Sequence, residues 1–152
     1  MLDFTGFKHS KESPELAVNK IQERVDKMRS TVETLSASPE FAFDQSLRKR
    51  LPEAHGLYII QLIHTPEIIR AGRTKTAKGG LRQRVYQNHF MGNQKGNLRR
   101  QLMASGQCHS LEEAKSWLRE HCITHVVIVE DDEERRWTEH FMLAVLRPRF
   151  SD

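Results

Sequence analysis

Gly56-Leu57-Tyr58-Ile59-Ile60-Gln61-Leu62-Ile63 is rich in β-branched and aromatic residues and reads as a strand. His64-Thr65-Pro66-Glu67 follows as a turn, and Ile68 to Ala71 as a second short strand. The pair therefore reads as a hairpin. Downstream, Gly72 to Gly80 is a polar, glycine-containing loop, and Leu81 to Phe90 predicts a helix with Leu81, Val85 and Asn88 on one face. Asn97 to Met103 predicts a short basic helix, capped by Asn97 and broken after it by Gly106. Ser110-Leu111-Glu112-Glu113 is a capping box. The helix it opens carries Leu111, Ala114, Trp117 and Leu118 on one side. Ile123 to Val129 is a third strand. Asp131 to Glu134 is an acidic helix start, favoured by the helix dipole. That helix runs to about Leu146 with Trp137, Phe141, Ala144 and Val145 as its apolar stripe, and Pro148 ends it.

Upstream of the hairpin the pattern is helical. After a polar lead-in over residues 1–12, Ser13-Pro14-Glu15 combines a cap, a first-turn proline and an acidic residue at the positive dipole end. The helix extends to about Ser36. Its apolar residues Val18, Ile21, Val25, Met28, Val32 and Leu35 alternate in steps of three and four, a heptad stripe. Such a stripe either packs on the domain or, over residues 14–36, joins two copies in a homodimer. Phe41 to Leu51 predicts a second short helix. The order of elements points to an α+β fold: a small three-stranded, mainly antiparallel sheet flanked by helices. Residues 1–54 form an N-terminal helical extension and residues 55–152 the main domain.

The 152 residues bound this to one modest core. A 38% hydrophobic and 29% charged composition suits a globular chain, and no apolar run nears the roughly 20 residues that a membrane-spanning helix needs. Residues 1–10 carry no signal-like apolar stretch, so the expectation is a cytoplasmic protein with no membrane partner. Cys108 and Cys122 are expected as free thiols. Cys108-His109 and His121-Cys122-Ile123-Thr124-His125 supply zinc-type donor atoms, but adjacent ligands on a helix diverge and no Cys-x-x-Cys pair exists.

The net charge of +4 matters less than its distribution. Between Glu67 and Glu112 there is no acidic residue, while the same window holds nine lysines and arginines. A one-sign stretch of this length sets up a field that draws polyanions. Nucleic acid is the expected partner. Arg70, Lys75, Lys78, Arg82, Lys95, Arg99 and Arg100 are the candidate DNA phosphate contacts.

Four pieces now stand in one order. Gly56-Leu57-Tyr58 opens the first strand and Arg70-Ala71-Gly72-Arg73-Thr74 lies on the second. Leu81-Arg82-Gln83-Arg84 and His89 lie on the next helix. Glu139 precedes Arg147-Pro148-Arg149-Phe150-Ser151 on the last. In that order and spacing, residues 55–152 resemble the GIY-YIG nucleases. The resemblance implies a metal-dependent DNA endonuclease acting on duplex or branched DNA. It gives Tyr58 the part of general base or proton relay, and Arg84 that of binding the phosphate through a two-pronged guanidinium. Glu139 holds Mg²⁺, with Mn²⁺ as a possible substitute. Arg73 falls where many members carry lysine, and either holds the phosphate or lowers the Tyr58 pKa; His89 either relays a proton or contacts phosphate. Three positions depart from the family pattern. Arg70 replaces a tyrosine, Ser151 an asparagine, and Asn88 stands one turn after Arg84 where histidine or tyrosine is usual. A one-residue insertion would bring His89 to that place, and Tyr86 is a spare candidate. The alternative is a catalytically degenerate nucleic-acid-binding module of the same fold.

Overall fold

The hairpin forms with Tyr58 facing Gly72 and Ile60 facing Arg70 across the antiparallel ladder. In the computed structural model, which describes residues 14–75, 78–92 and 97–151, it occupies one side of a four-stranded antiparallel sheet. The strands are β1 (Phe41–Ala42), β2 (Gly56–Leu62), β3 (Ile68–Arg73) and β4 (Cys122–Ile128), in the order β1-β4-β2-β3. Gly56 is obligatory where it stands. A Cβ there would lie 2.0 Å from the Val127 carbonyl oxygen on β4.

The helices are α1 (Pro14–Ala37), α2 (Leu47–Arg50), α3 (Leu98–Ala104), α4 (Leu111–His121) and α5 (Asp132–Leu146), with a π-helix over Arg82–Phe90. Successive β2 side chains point to opposite faces. Leu57 and Ile59 pack with Val32 and Leu35 of α1 and Met142 of α5. Tyr58 and Ile60 pack with Leu47, Leu81, Val85, Leu98, Leu102 and Leu118, beneath α2, the π-helix, α3 and α4. The caps read from the sequence are in place. Asn97 Oδ1 accepts from Arg100 N at 3.1 Å, and Ser110 Oγ from Glu113 N at 3.0 Å. The Ser13 cap lies outside the described residues. No described helix is long and apolar enough to cross a membrane.

Three expectations are corrected. The sheet has four strands, because Phe41 and Ala42 pair with Thr124 and Ile123 instead of starting a helix. Asp44 Oδ1 then accepts from Ser46 N and Ser46 Oγ at 2.9 and 2.6 Å. This local side-chain turn delays the helix to Leu47. On α5 the buried face is Arg135, Thr138 and Met142, while Trp137, Ala144 and Val145 are exposed. On α1 only Val32 and Leu35 of the heptad stripe are buried. Residues 32–51 are thus built into the same sheet and core as the hairpin.

Arg135 explains how α5 can bury a charge. Its Nε donates to Thr74 O (2.9 Å) just after β3, and Nη1 to Val129 O (2.8 Å) and Glu130 O (3.0 Å) just after β4. Nη2 meets Asp132 Oδ1 at 2.7 Å in the first turn of α5. Arg135→Ala leaves the buried carbonyls of Thr74 and Val129 without this donor, and is expected to lower stability by about 3 kcal/mol in urea unfolding. A loss below about 1 kcal/mol would show that water replaces the guanidinium at little cost.

Candidate active site

β3 is an edge strand, and Gly72 on it has no side chain to cover its neighbour. A Cβ there would lie 2.7 Å from the Tyr58 hydroxyl oxygen, so the phenol occupies the space that glycine leaves. Tyr58 Oη lies 2.7 Å from His89 Nε2. His89 Nδ1 accepts from the backbone N–H of Leu98 at 3.3 Å. A nitrogen that accepts carries no proton, so the neutral ring must hold its hydrogen on Nε2. The 2.7 Å bond therefore runs from His89 Nε2–H to the Tyr58 oxygen. Both side chains are wholly buried. Burial drives the His89 pKa well below its ordinary value, and the nearby charges of Arg70 and Arg84 push the same way.

The π-helix sets which residues share this face. Its first turn is anchored by Leu81 N on Ala54 O (2.9 Å) and Arg82 N on Pro52 O (3.0 Å). Its last closes from Met91 N to Tyr86 O, five residues back, at 2.9 Å. Side chains follow the same count: Gln83 Nε2 donates to Asn88 Oδ1, five residues on, at 3.3 Å. Arg84 and His89 are also five apart, and the Arg84 charge is felt at His89. Periodicity predicted an α-helix here, in which residues four apart would be stacked.

Glu139 meets β3 from the other face of the sheet. Its Oε2 accepts from Arg73 N at 2.9 Å and its Oε1 from Arg73 Nε at 3.1 Å, with both side chains less than one-fifth exposed. Arg73, Lys75, Lys78, Arg84 and Asn88 line a cleft of about 180 Å³. Four cationic side chains around one small cleft suit an anion. Among the described residues no group of three or more His, Cys, Asp or Glu side chains is placed to hold a metal ion. A hard cation such as Mg²⁺ takes one or two carboxylates and keeps waters, so Glu139 fits it once Arg73 Nε yields Oε1.

The expected phosphate contacts divide. Lys75, Lys78 and Arg100 are exposed. Arg82 is turned to Glu53 Oε1 (2.6 Å) and Leu51 O (3.0 Å). Arg70 and Arg99 are corrected: both are buried. Arg70 is held by Gln101 Oε1, and Arg99 clamps the carbonyls of Phe90, Met91 and Leu111, so both join elements of the fold. Lys95 lies outside the described residues. Gln101, which no motif marked, also donates to Ser151 O at 2.9 Å and ties the chain's last described residue to Arg70. Cys108 and Cys122 are buried free thiols, and burial pushes the Cys122 pKa up to about 12. Neither is an activated nucleophile.

No protein-family model matches this chain, and neither does any curated protein or solved structure.

The His89 environment predicts a pH effect with a definite sign. Its folded pKa is depressed, so below about pH 6.5 the unfolded chain binds a proton that the folded chain refuses. This residue's contribution is complete above pH 6.5 and lost as pH falls, with a slope of at most about 1.4 kcal/mol per unit. Urea unfolding from pH 7.5 to 5 should show that loss, and His89→Gln should remove its share of the slope. An NMR titration in which His89 protonates near pH 6.5 in the folded protein would contradict the assignment.

Proposed function

We propose that this chain is a metal-dependent DNA endonuclease of the GIY-YIG kind, hydrolysing phosphodiester bonds in duplex or branched DNA. The observation that carries the reading is that the five residues the family motifs single out form two groups at β3, Tyr58 with His89 and Arg84 on one face and Arg73 with Glu139 on the other, and that Arg73 and Arg84 share the cationic cleft. The π-helix supports it. Its five-residue count brings His89 into line with Arg84 as the one-residue insertion requires. Single π-turns recur at functional sites.

Each residue has a task in this reaction. A DNA phosphate enters the cationic cleft, where Arg84 and Lys78 oppose its charge. Such contacts strengthen as charge builds on the phosphoryl oxygens. Arg73 turns from Glu139 Oε1 to a phosphate oxygen. Acting as its phenolate, Tyr58 takes the proton of the attacking water and becomes the neutral phenol, and His89 Nε2–H holds its oxygen in place and stabilises the phenolate before the transfer. Tyr58 is buried, so the reaction requires that water be admitted to it. Glu139 would hold the metal through Oε1, its Oε2 kept in position by the Arg73 backbone N–H. The bound ion supplies relief of charge at the leaving oxygen.

A second reading rests on the same burial. Tyr58 and His89 are closed off, both Glu139 oxygens are engaged by Arg73, and Arg70 replaces the family's second tyrosine. These features suit a module of the same fold that binds DNA without cutting it.

Supercoiled and branched DNA, incubated with Mg²⁺ or Mn²⁺ and separately with EDTA, distinguishes the two. The nuclease reading expects metal-dependent cleavage that Glu139→Ala abolishes while salt-sensitive DNA binding persists. Arg84→Ala is expected to slow it about 10²- to 10³-fold, and Tyr58→Phe about 10²- to 10⁴-fold. Binding without cleavage under every metal and substrate selects the second reading.

A further inference from the structure

The N-terminal half of α1 presents an apolar face that is exposed among the described residues. Val18, Ile21 and Val25 are 59, 62 and 38% exposed, whereas Val32 and Leu35 on the same stripe are buried against the sheet. Trp137 of α5, 50% exposed, adjoins this face across a cleft of about 380 Å³ that Arg24, Lys27 and Met28 also line. Single exposed apolar residues are ordinary, but a continuous patch of several hundred Å² marks a contact surface.

We propose that a second copy of this chain docks on this face, α1 against α1, antiparallel about a two-fold axis. Three observations favour a second copy. The first is area. Val18, Ile21, Val25 and Trp137 expose on the order of 400 Å² of apolar surface per copy. With the aliphatic stems of Arg24 and Lys27, two copies would bury about 1,000 Å², the lower bound for a specific interface. The second is spacing. The steps of three and four along Val18–Ile21–Val25–Met28 are those of a helix seam that matches itself. The third is charge. The residues flanking the seam are Glu15, Gln22 and Arg29 on one side and Ala17, Arg24 and Thr31 on the other. A parallel pair brings Arg24 of each copy to Arg29 of the other, two like-charge contacts. An antiparallel pair centred between Ile21 and Val25 brings Glu15 to Arg29 twice and Gln22 to Gln22, against a single Arg24–Arg24 contact. Flanking charges of this kind set helix orientation. The helix is short for an independent coiled coil, but its C-terminal half is already anchored in the domain core.

The inference does not depend on the nuclease reading. Its test is the mass of the full chain between 1 and 100 µM by sedimentation or light scattering. The expected result is a shift from 17.7 kDa towards twice that mass, about 35 kDa, with a micromolar midpoint. Ile21→Glu and Trp137→Ala should stay monomeric at 100 µM with unchanged circular dichroism, because both side chains are exposed in the single copy. Gln22→Cys should crosslink to its own copy under mild oxidation. A full chain that is monomeric at 100 µM overturns the proposal. So does a dimer that Ile21→Glu leaves intact, and a dimer in which Gln22→Cys does not crosslink overturns the antiparallel arrangement.

Discussion

The guanidinium of Arg135 is the point on which the architecture turns. It reaches the chain after β3, the chain after β4 and the first turn of its own helix. These are the places where the sheet ends and α5 begins, and β2, paired with both β3 and β4, holds the same strand ends from the other side. Because Thr74 is held there, Arg73 immediately before it faces α5, and Glu139, one helical turn beyond Arg135, meets it. A buried cation matched by three carbonyls and one carboxylate is a structural rivet with directional demands that an apolar side chain lacks. The Glu139–Arg73 pair is therefore a consequence of how the fold closes.

Much of this was legible from residue order. The hairpin announced itself through β-branched and aromatic residues, and the helix starts at Asn97, Ser110 and Asp131 through side chains that can reach their own backbone. The five candidate site residues were read from motif spacing, which is visible in the sequence. What escaped is equally specific. Phe41 and Ala42 form a strand only because β4 offers them an edge, and no local preference encodes that. The apolar pattern of α5 pointed to Trp137 and Val145, but the buried face carries Arg135 and Thr138, whose polarity hides their burial from any hydrophobic count. Arg70 and Arg99 looked like phosphate contacts because charge reports composition and not direction. Their partners Gln101, Phe90, Met91 and Leu111 become neighbours only in the folded chain.

The site combines a neutral imidazole with cations. Complete burial, helped by two arginine charges, holds the His89 pKa well below its ordinary value, and the Leu98 backbone decides which nitrogen of the neutral ring carries the hydrogen. The ring can then act towards Tyr58 only as a donor. This is a narrower role than histidine usually has, and the backbone enforces it without any carboxylate partner. The cationic cleft beside it concentrates positive potential at the end of β3.

The π-helix has a consequence for the history of the chain. An inserted residue in a surface loop is absorbed by the loop, but one inserted within an α-helix turns everything beyond it by about 100°. A π-helix such as that over residues 82–90 is a form in which one added residue can be taken up in the hydrogen-bond ladder itself, so that the segments on either side keep their bearings. Removing one residue from this segment would let it tighten into an ordinary helix, shortening the span while preserving every residue type that a motif search inspects. In this stretch segment length is itself heritable information, and a substitution scan that never alters length would not see it.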